Sequence, residues 1–160
     1  MAVPGYLSGM DNHLQQLLDK DRIVDTINQL FIGTDARDWP TVRACFADTV
    51  LFDVTSLAGG TPSELTPEQI ADGWEEGLRP IQVVHHQAGN YRVQVQGERA
   101  AAFCYGVAHH YRATASGRNT RTIVGSYDFQ LRRVEGRWQI DSFRFNVKYI
   151  DGNLELERGE

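Results

Sequence analysis

After Pro80 the chain repeats one pattern that few folds can satisfy. Ile81–Val95, Ala100–Thr114, Arg121–Val134 and Arg137–Tyr149 are rich in β-branched and aromatic residues, and Gly97-Glu98, Ser116-Gly117 and Glu135-Gly136 separate them as turns. Short turns between long strand-like runs join antiparallel neighbours, so this half of the chain predicts a meander. The run over 121–134 alternates most cleanly. Ile123, Tyr127, Phe129 and Leu131 share one parity, while Thr122, Ser126, Asp128, Gln130 and Arg132 share the other, giving the sheet one dry and one wet face. In the last run the apolar parity switches from Trp138 and Ile140 to Phe143, Phe145 and Val147. One extra residue near Asp141-Ser142 accounts for the switch, so a β-bulge that bends the sheet is expected there.

Before Pro80 the periodicity is mostly helical. From Asp11, Leu14, Leu17 and Leu18 begin an apolar stripe that continues, after Asp19 or Asp21 as a candidate cap, through Ile23, Val24, Ile27, Leu30 and Phe31. Gly33 weakens its end. Asp38 followed by Trp39-Pro40 marks a second, short helix holding Val42, Cys45 and Phe46 on one side, and Val50–Val54 reads as a strand. Thr66-Pro67-Glu68-Gln69 is a capping box with Pro in the first turn, opening a helix to about Leu78. Helices followed by a long curved antiparallel sheet predict an α+β fold in which the sheet wraps around the helices. Residues 1–10 lack periodicity and are expected to form an arm, residues 11–153 a single domain, and the acidic residues 154–160 a frayed tail.

Composition narrows the partners. A chain of 160 residues that is 41% hydrophobic supports one core, and 16 Lys and Arg against 21 Asp and Glu leave no positive excess for a nucleic-acid backbone. No leader-like segment or membrane-length apolar run is evident, so a cytoplasmic location without membrane association is expected. Cys45 and Cys104 lack CxxC spacing and read as small buried hydrophobes, with no cofactor or metal implied.

The chemistry-bearing candidates are histidines. Of the five, four form adjacent pairs on predicted strands, His85-His86 and His109-His110. Strand neighbours point to opposite faces, so each pair offers one imidazole to the interior. His moves protons near neutral pH, and a neighbouring carboxylate fixes its tautomer. Asp35, at the end of the first long helix, is the candidate partner. Strict alternation back from Val93 and Tyr91 favours His85 unless Gly89 sits in a bulge, and parity leaves His109 and His110 open. Tyr127, on the apolar parity, reads as an oxyanion donor or as a core tyrosine with its hydroxyl bonded to the backbone. Trp74 is placed either to line a cavity or to pack against the sheet, and Gly59-Gly60-Thr61-Pro62 reads as a flap or an ordinary connection. Arg118, Arg121, Arg132, Arg133 and Arg137 read as solvated hairpin ends.

The strings TDARDWPTVRACFADTVLFD, HHQAGNYRVQVQGERAAAFCYGVAHH and GSYDFQLRRVEGRWQI, in this order, resemble the SnoaL-like branch of the nuclear transport factor two-like superfamily, the group containing scytalone dehydratase. The resemblance runs from about Asp19 to about Asn153. It implies a cone-shaped, cystatin-like half-barrel whose curved, mostly antiparallel sheet and N-terminal helices enclose an apolar pocket. It also implies an Asp–His pair: Asp35 in Thr34-Asp35-Ala36-Arg37-Asp38-Trp39, His86 in His86-Gln87-Ala88-Gly89-Asn90, and His110 on the next strand. Trp39, Val54, Trp74, Asn90 and Phe129 are the implied substrate contacts. Thr34 replaces the family's Tyr and Val54 stands near the position of a substrate-polarising Tyr, so scytalone itself is not the expected substrate; Tyr127 stands near the position of a substrate-binding Asn.

The function expected is a cofactor-independent dehydratase or isomerase acting on a small hydrophobic cyclic or polyketide-like ketone. The alternative is a non-catalytic module of the same fold that binds a small hydrophobic ligand or serves in assembly. A metal site lacks HxH or HExxH spacing. A homodimer is the expected assembly, and Phe103, Tyr105, Val107 and Tyr111 would supply its aromatic patch if their face is convex.

Overall fold

A computed structural model describes the backbone of residues 4–160 and the side chains from Asp11 onward. Helix α1 spans Pro4–Ala36 and α2 spans Trp39–Ala44. Strand β1 (Phe46–Asp53), a short helix α3 (Thr55–Ala58), strand β2 (Ser63–Leu65) and helix α4 (Pro67–Leu78) follow. The long strands are β3 (Val83–Gln96), β4 (Arg99–Tyr111), β5 (Thr120–Val134) and β6 (Arg137–Gly152), and a 3-10 turn closes the chain at Leu156–Arg158.

The six strands form one sheet in the order β2-β1-β6-β5-β4-β3. Every pairing is antiparallel except β1 with β6. Register shifts bend the ladder. Asp141 is skipped opposite Gln130 and Leu131, the bulge expected from the parity switch, and Lys148 is skipped opposite Val124 and Gly125. A further shift lies between Gly89 and Arg92, where Asn90 takes a left-handed φ of 57°. These insertions increase local twist and curl the sheet around the helices.

The buried side of α1 carries Asp19, Ile23, Ile27, Leu30, Phe31 and Thr34 at helical spacing. Even-numbered residues of β4 from Ala100 to His110 face the same interior. The turn from α1 to α2 is fixed at both ends. Asp38 accepts hydrogen bonds from the Thr41 backbone N–H and hydroxyl, while Arg37 donates to the carbonyls of Leu78, the last residue of α4, and of Ile81 beyond it. Thr66 and Gln69 form the expected capping box.

Several expectations give way here. Helix α1 begins at Pro4, so residues 4–10 continue it; residues 1–3 of the expected arm lie outside the described residues. Leu14, Leu17 and Leu18 are exposed, because the packed face of α1 begins only at Asp19. Asp19 is no cap. It is a buried carboxylate bound by Arg133 at 2.6 Å and by the Trp138 and Gln15 N–H groups. Burial opposes its ionisation, but these donors hold its carboxyl below the usual range. The tail is anchored rather than frayed: Leu156 is fully buried against Ile81 and Val84, and the Asn153 side-chain N–H donates to the Arg118 and Glu160 carbonyls. Arg133 and Arg121 both hold part-buried ion pairs, unlike solvated hairpin ends.

A candidate acid–base site in an apolar cavity

The end of α1, helices α3 and α4 and the concave face of the sheet surround a cavity of about 160 Å³. Its walls are mostly hydrocarbon: Phe31, Val54, Leu57, Trp74, Leu78, Ala108, Ile123, Phe143 and Phe145. The polar side chains among its lining are Thr34, His86, His110 and Tyr127. Thr34 turns its hydroxyl back to the Leu30 carbonyl at 2.7 Å.

Asp35 grips His86 twice. One carboxylate oxygen lies 2.6 Å from the ring Nδ1, and the other accepts the His86 backbone N–H at 2.8 Å. A carboxylate can only accept, so Nδ1 carries the proton and the Nε2 lone pair remains for the cavity. Phe31, one helical turn before Asp35, stacks on the imidazole with centroids 5.3 Å apart. The ring is therefore held at its edge and over its face. His85 projects outward, 67% exposed, with Nδ1 3.9 Å from Asp35. The bulge at Asn90 decides between the two. Upstream of it Val84, His86 and Ala88 face in; downstream Tyr91, Val93 and Val95 do.

His110 faces the cavity and His109 faces out, bonded to Thr122. His110 sits opposite Arg121 in the β4–β5 register, and Arg121 lies 2.9 Å from its Nδ1. Burial, the Arg121 charge and His86 depress the His110 pKa to about 4, with Glu157 and Asp35 opposing. Tyr127 is buried between Phe129, stacked at 5.8 Å, and Phe31, tilted at 4.8 Å. Burial pushes its phenol above the usual range, and its hydroxyl has no hydrogen-bond partner among the described residues. It thus remains a donor.

Val54 and Trp74 line the cavity, and Trp74 also packs on Phe46, Phe52 and Phe143, so it does both things open to it. Three expected contacts do not reach it. Trp39 is in the core at the start of α2, Phe129 is buried behind Tyr127, and Asn90 is exposed at the bulge that its own backbone forms. Leu57 reaches the cavity, whereas Gly59–Pro62 connects α3 to β2 away from it. Phe31 and Arg121 were missed as site residues. Phe31 carries a signal four residues before Asp35, and Arg121 shares the inward parity of Ile123 and Tyr127.

Cys45 and Cys104 are buried, and burial raises both thiols to about 12, which leaves no nucleophilic thiolate near neutral pH. Among the described residues no group of three or more His, Cys, Asp or Glu is arranged to hold a metal ion. No described helix is long and apolar enough to cross a membrane. The face opposite the cavity carries Tyr105 and Tyr111, both exposed.

N-terminal helices packed in a curved, unclosed, mostly antiparallel sheet, with a carboxylate–imidazole pair beside an apolar cavity, define an α+β class. The chain belongs to the SnoaL-like domain family, whose model matches residues 15–144. Among solved structures it is similar to the Kfla4162 protein of Kribbella flavida, with a TM-score of 0.84, 19% identity, and 89% of this chain and 99% of that one covered. It is also similar to hexachlorocyclohexane dehydrochlorinase LinA-type3 of Novosphingobium barchaimii, at 0.75, 17%, 89% and 94%. A scytalone dehydratase-like protein of Novosphingobium aromaticivorans gives 0.75, 13%, 86% and 89%. At these identities the likeness establishes a shared cystatin-like fold. No curated protein matches the sequence.

Proposed function

We propose that the protein is a cofactor-independent lyase or isomerase that removes a proton α to the carbonyl of a small cyclic ketone. The observation that carries this reading is the 2.6 Å contact between Asp35 and the Nδ1 of His86 at the edge of an apolar cavity. In the elimination, His86 Nε2 takes the α-proton, the C–H electron pair becomes the new C=C bond, and the β-substituent leaves with its electron pair. A β-hydroxyl departs as water on receiving that proton back from the His86 imidazolium; a β-halogen departs as halide, and the imidazolium then gives its proton to solvent. Asp35 stabilises the imidazolium formed in the first step, and Tyr127 donates to the developing enolate oxygen. A positioned base and an oxyanion donor each supply on the order of 10²-fold or more.

The cavity also bounds the substrate. A volume near 160 Å³ is close to the roughly 150 Å³ apolar cavity that accommodates benzene, so one six-membered ring fills it. A larger polyketide-like molecule would have to extend past Leu57 and Trp74, which also line the neighbouring groove toward Leu154. The two dehydrochlorinase-type and dehydratase-type structural neighbours support elimination as the reaction type.

The test is a panel of cyclohexanones carrying a β-hydroxyl or β-chloro group, with enone absorbance as the readout. The protein should form enone from at least one member, and His86→Ala should fall to the buffer rate. Equal turnover by the variant would remove His86 from the mechanism.

A further inference from the structure

We propose that Arg121 and Glu157 are positioning residues that lock His110 as a fixed hydrogen-bond donor, so that the two cavity histidines hold opposite and non-interchangeable roles. The use made of that donor, binding the substrate oxygen while His86 accepts the proton, rests on the function proposed above. The lock itself stands on geometry alone.

Both imidazoles are clamped at Nδ1, but by groups of opposite character. Asp35 can only accept, which places the His86 proton on Nδ1 and leaves Nε2 as a lone pair. Arg121 can only donate. Its Nη2 lies 2.9 Å from His110 Nδ1, so Nδ1 must accept and the single ring proton sits on Nε2. In the β3–β4 register His86 pairs with Ala108, and His110 is two residues further along β4 on the same face. The site therefore presents one acceptor and one donor from adjacent strands, each fixed from behind.

Arg121 is itself held. Glu157 accepts from its Nη1 at 2.9 Å and also pairs with its Nη2, and the guanidinium side chain is only 13% exposed. Glu157 sits on the C-terminal 3-10 turn, which is fixed by the fully buried Leu156 and by Arg112 donating to the Leu156 and Glu157 carbonyls. The charged and titratable groups facing His110 are Arg121 on β5, His86 on β3, Asp35 on α1 and Glu157 on the turn. Burial, Arg121 and His86 together outweigh the two carboxylates and favour the neutral form of His110. A second neutral base would compete for the same proton. A donor complements the first.

The experiment is a long-range ¹H–¹⁵N spectrum of protein labelled with ¹⁵N in histidine, recorded without substrate, with His110→Gln identifying the His110 signals. The wild-type protein should show His110 as the neutral Nε2–H tautomer at pH 7 and still neutral near pH 5. Arg121→Met should convert it to a mixture of tautomers that titrates between about pH 5 and 7. Glu157→Ala, which frees the guanidinium without removing it, should loosen the tautomer to a smaller degree while leaving His110 neutral near pH 5, because the Glu157 carboxylate favours its protonation. A wild-type His110 protonated on Nδ1, or doubly protonated at pH 7, overturns the lock without requiring any variant to fold. An Arg121→Met spectrum identical to wild type overturns it as well. Because no turnover is measured, a wrong tautomer leaves the role of His86 intact, and full turnover by His86→Ala would overturn that role with the lock intact.

Discussion

Replacing Asp35 with Asn tests the dyad with the least change in shape. Asp35 accepts from two donors, the His86 ring at 2.6 Å and the His86 backbone N–H at 2.8 Å. An Asn side chain has one accepting oxygen and one donating amide. The backbone N–H can only donate, so it retains the oxygen and the amide nitrogen turns to Nδ1. Nδ1 must then accept, and the ring proton moves to Nε2, the atom that should take the substrate proton. The opposite flip would set two donors against each other at the cost of about 1–3 kcal/mol for an unsatisfied, part-buried group. The variant therefore keeps its fold and inverts its tautomer, the logic that also governs the Asp of a Ser-His-Asp triad. The expected loss in kcat is about 10²–10⁴-fold, measured as enone formation from the best substrate of the panel. Loss of a charge-assisted bond worth about 2 kcal/mol lowers Tm by roughly 4–8 °C for a chain of this size. Parental kcat in Asp35→Asn, with Tm lowered as expected, would refute the argument that Asp35 sets the His86 tautomer.

Three further outcomes follow from packing and charge. Gly106 lies under the Tyr127 ring, and an added Cβ would come within 2.2 Å of its Cε2; Gly106→Ala should cost about 1–3 kcal/mol in chemical denaturation and displace the Tyr127 hydroxyl. His110 has a folded pKa of about 4 against 6.5 when unfolded, so its contribution to stability is fully present above pH 6.5 and is lost as pH falls toward 4. That shift is worth about 3 kcal/mol, and denaturant titrations across this window should show a shallower decline in His110→Gln than in wild type. Cys45 and Cys104 should resist a thiol reagent in the native protein at pH 8 and react on unfolding, because burial holds both as thiols.

The parts of this molecule legible in its sequence are those fixed by local periodicity. The parity switch at Asp141-Ser142 located a bulge because one skipped residue moves every later side chain to the other face. The capping box at Thr66 and the start of α2 at Asp38 are likewise short-range chemistry. The choice of His86 over His85 turns on whether a bulge falls at Gly89-Asn90, which alternation leaves open: Asn90 takes the left-handed conformation that Asn adopts more readily than other non-glycine residues, and the inward parity switches there. Arg121 needed the β4–β5 register before its partner could be known. Asp19 and Glu157 show the same limit. Local pattern reads Asp19 as a helix cap and Glu157 as part of an acidic tail, and each is tied to an arginine more than thirty residues away. Leu14, Leu17 and Leu18 failed in the other direction, because helical spacing specifies a face and not whether anything covers it.

The central claim is that the Asp35–His86 pair acts as a base inside the cavity, and α-deuterium exchange tests it without requiring a leaving group. Cyclohexanones of one ring are incubated with protein in deuterated buffer, and incorporation at the α-carbon is followed by NMR. The wild-type protein should accelerate exchange above buffer, and His86→Gln should abolish the acceleration while the folded spectrum is retained. Wild-type exchange no faster than buffer, or equal acceleration by the variant, would contradict the account.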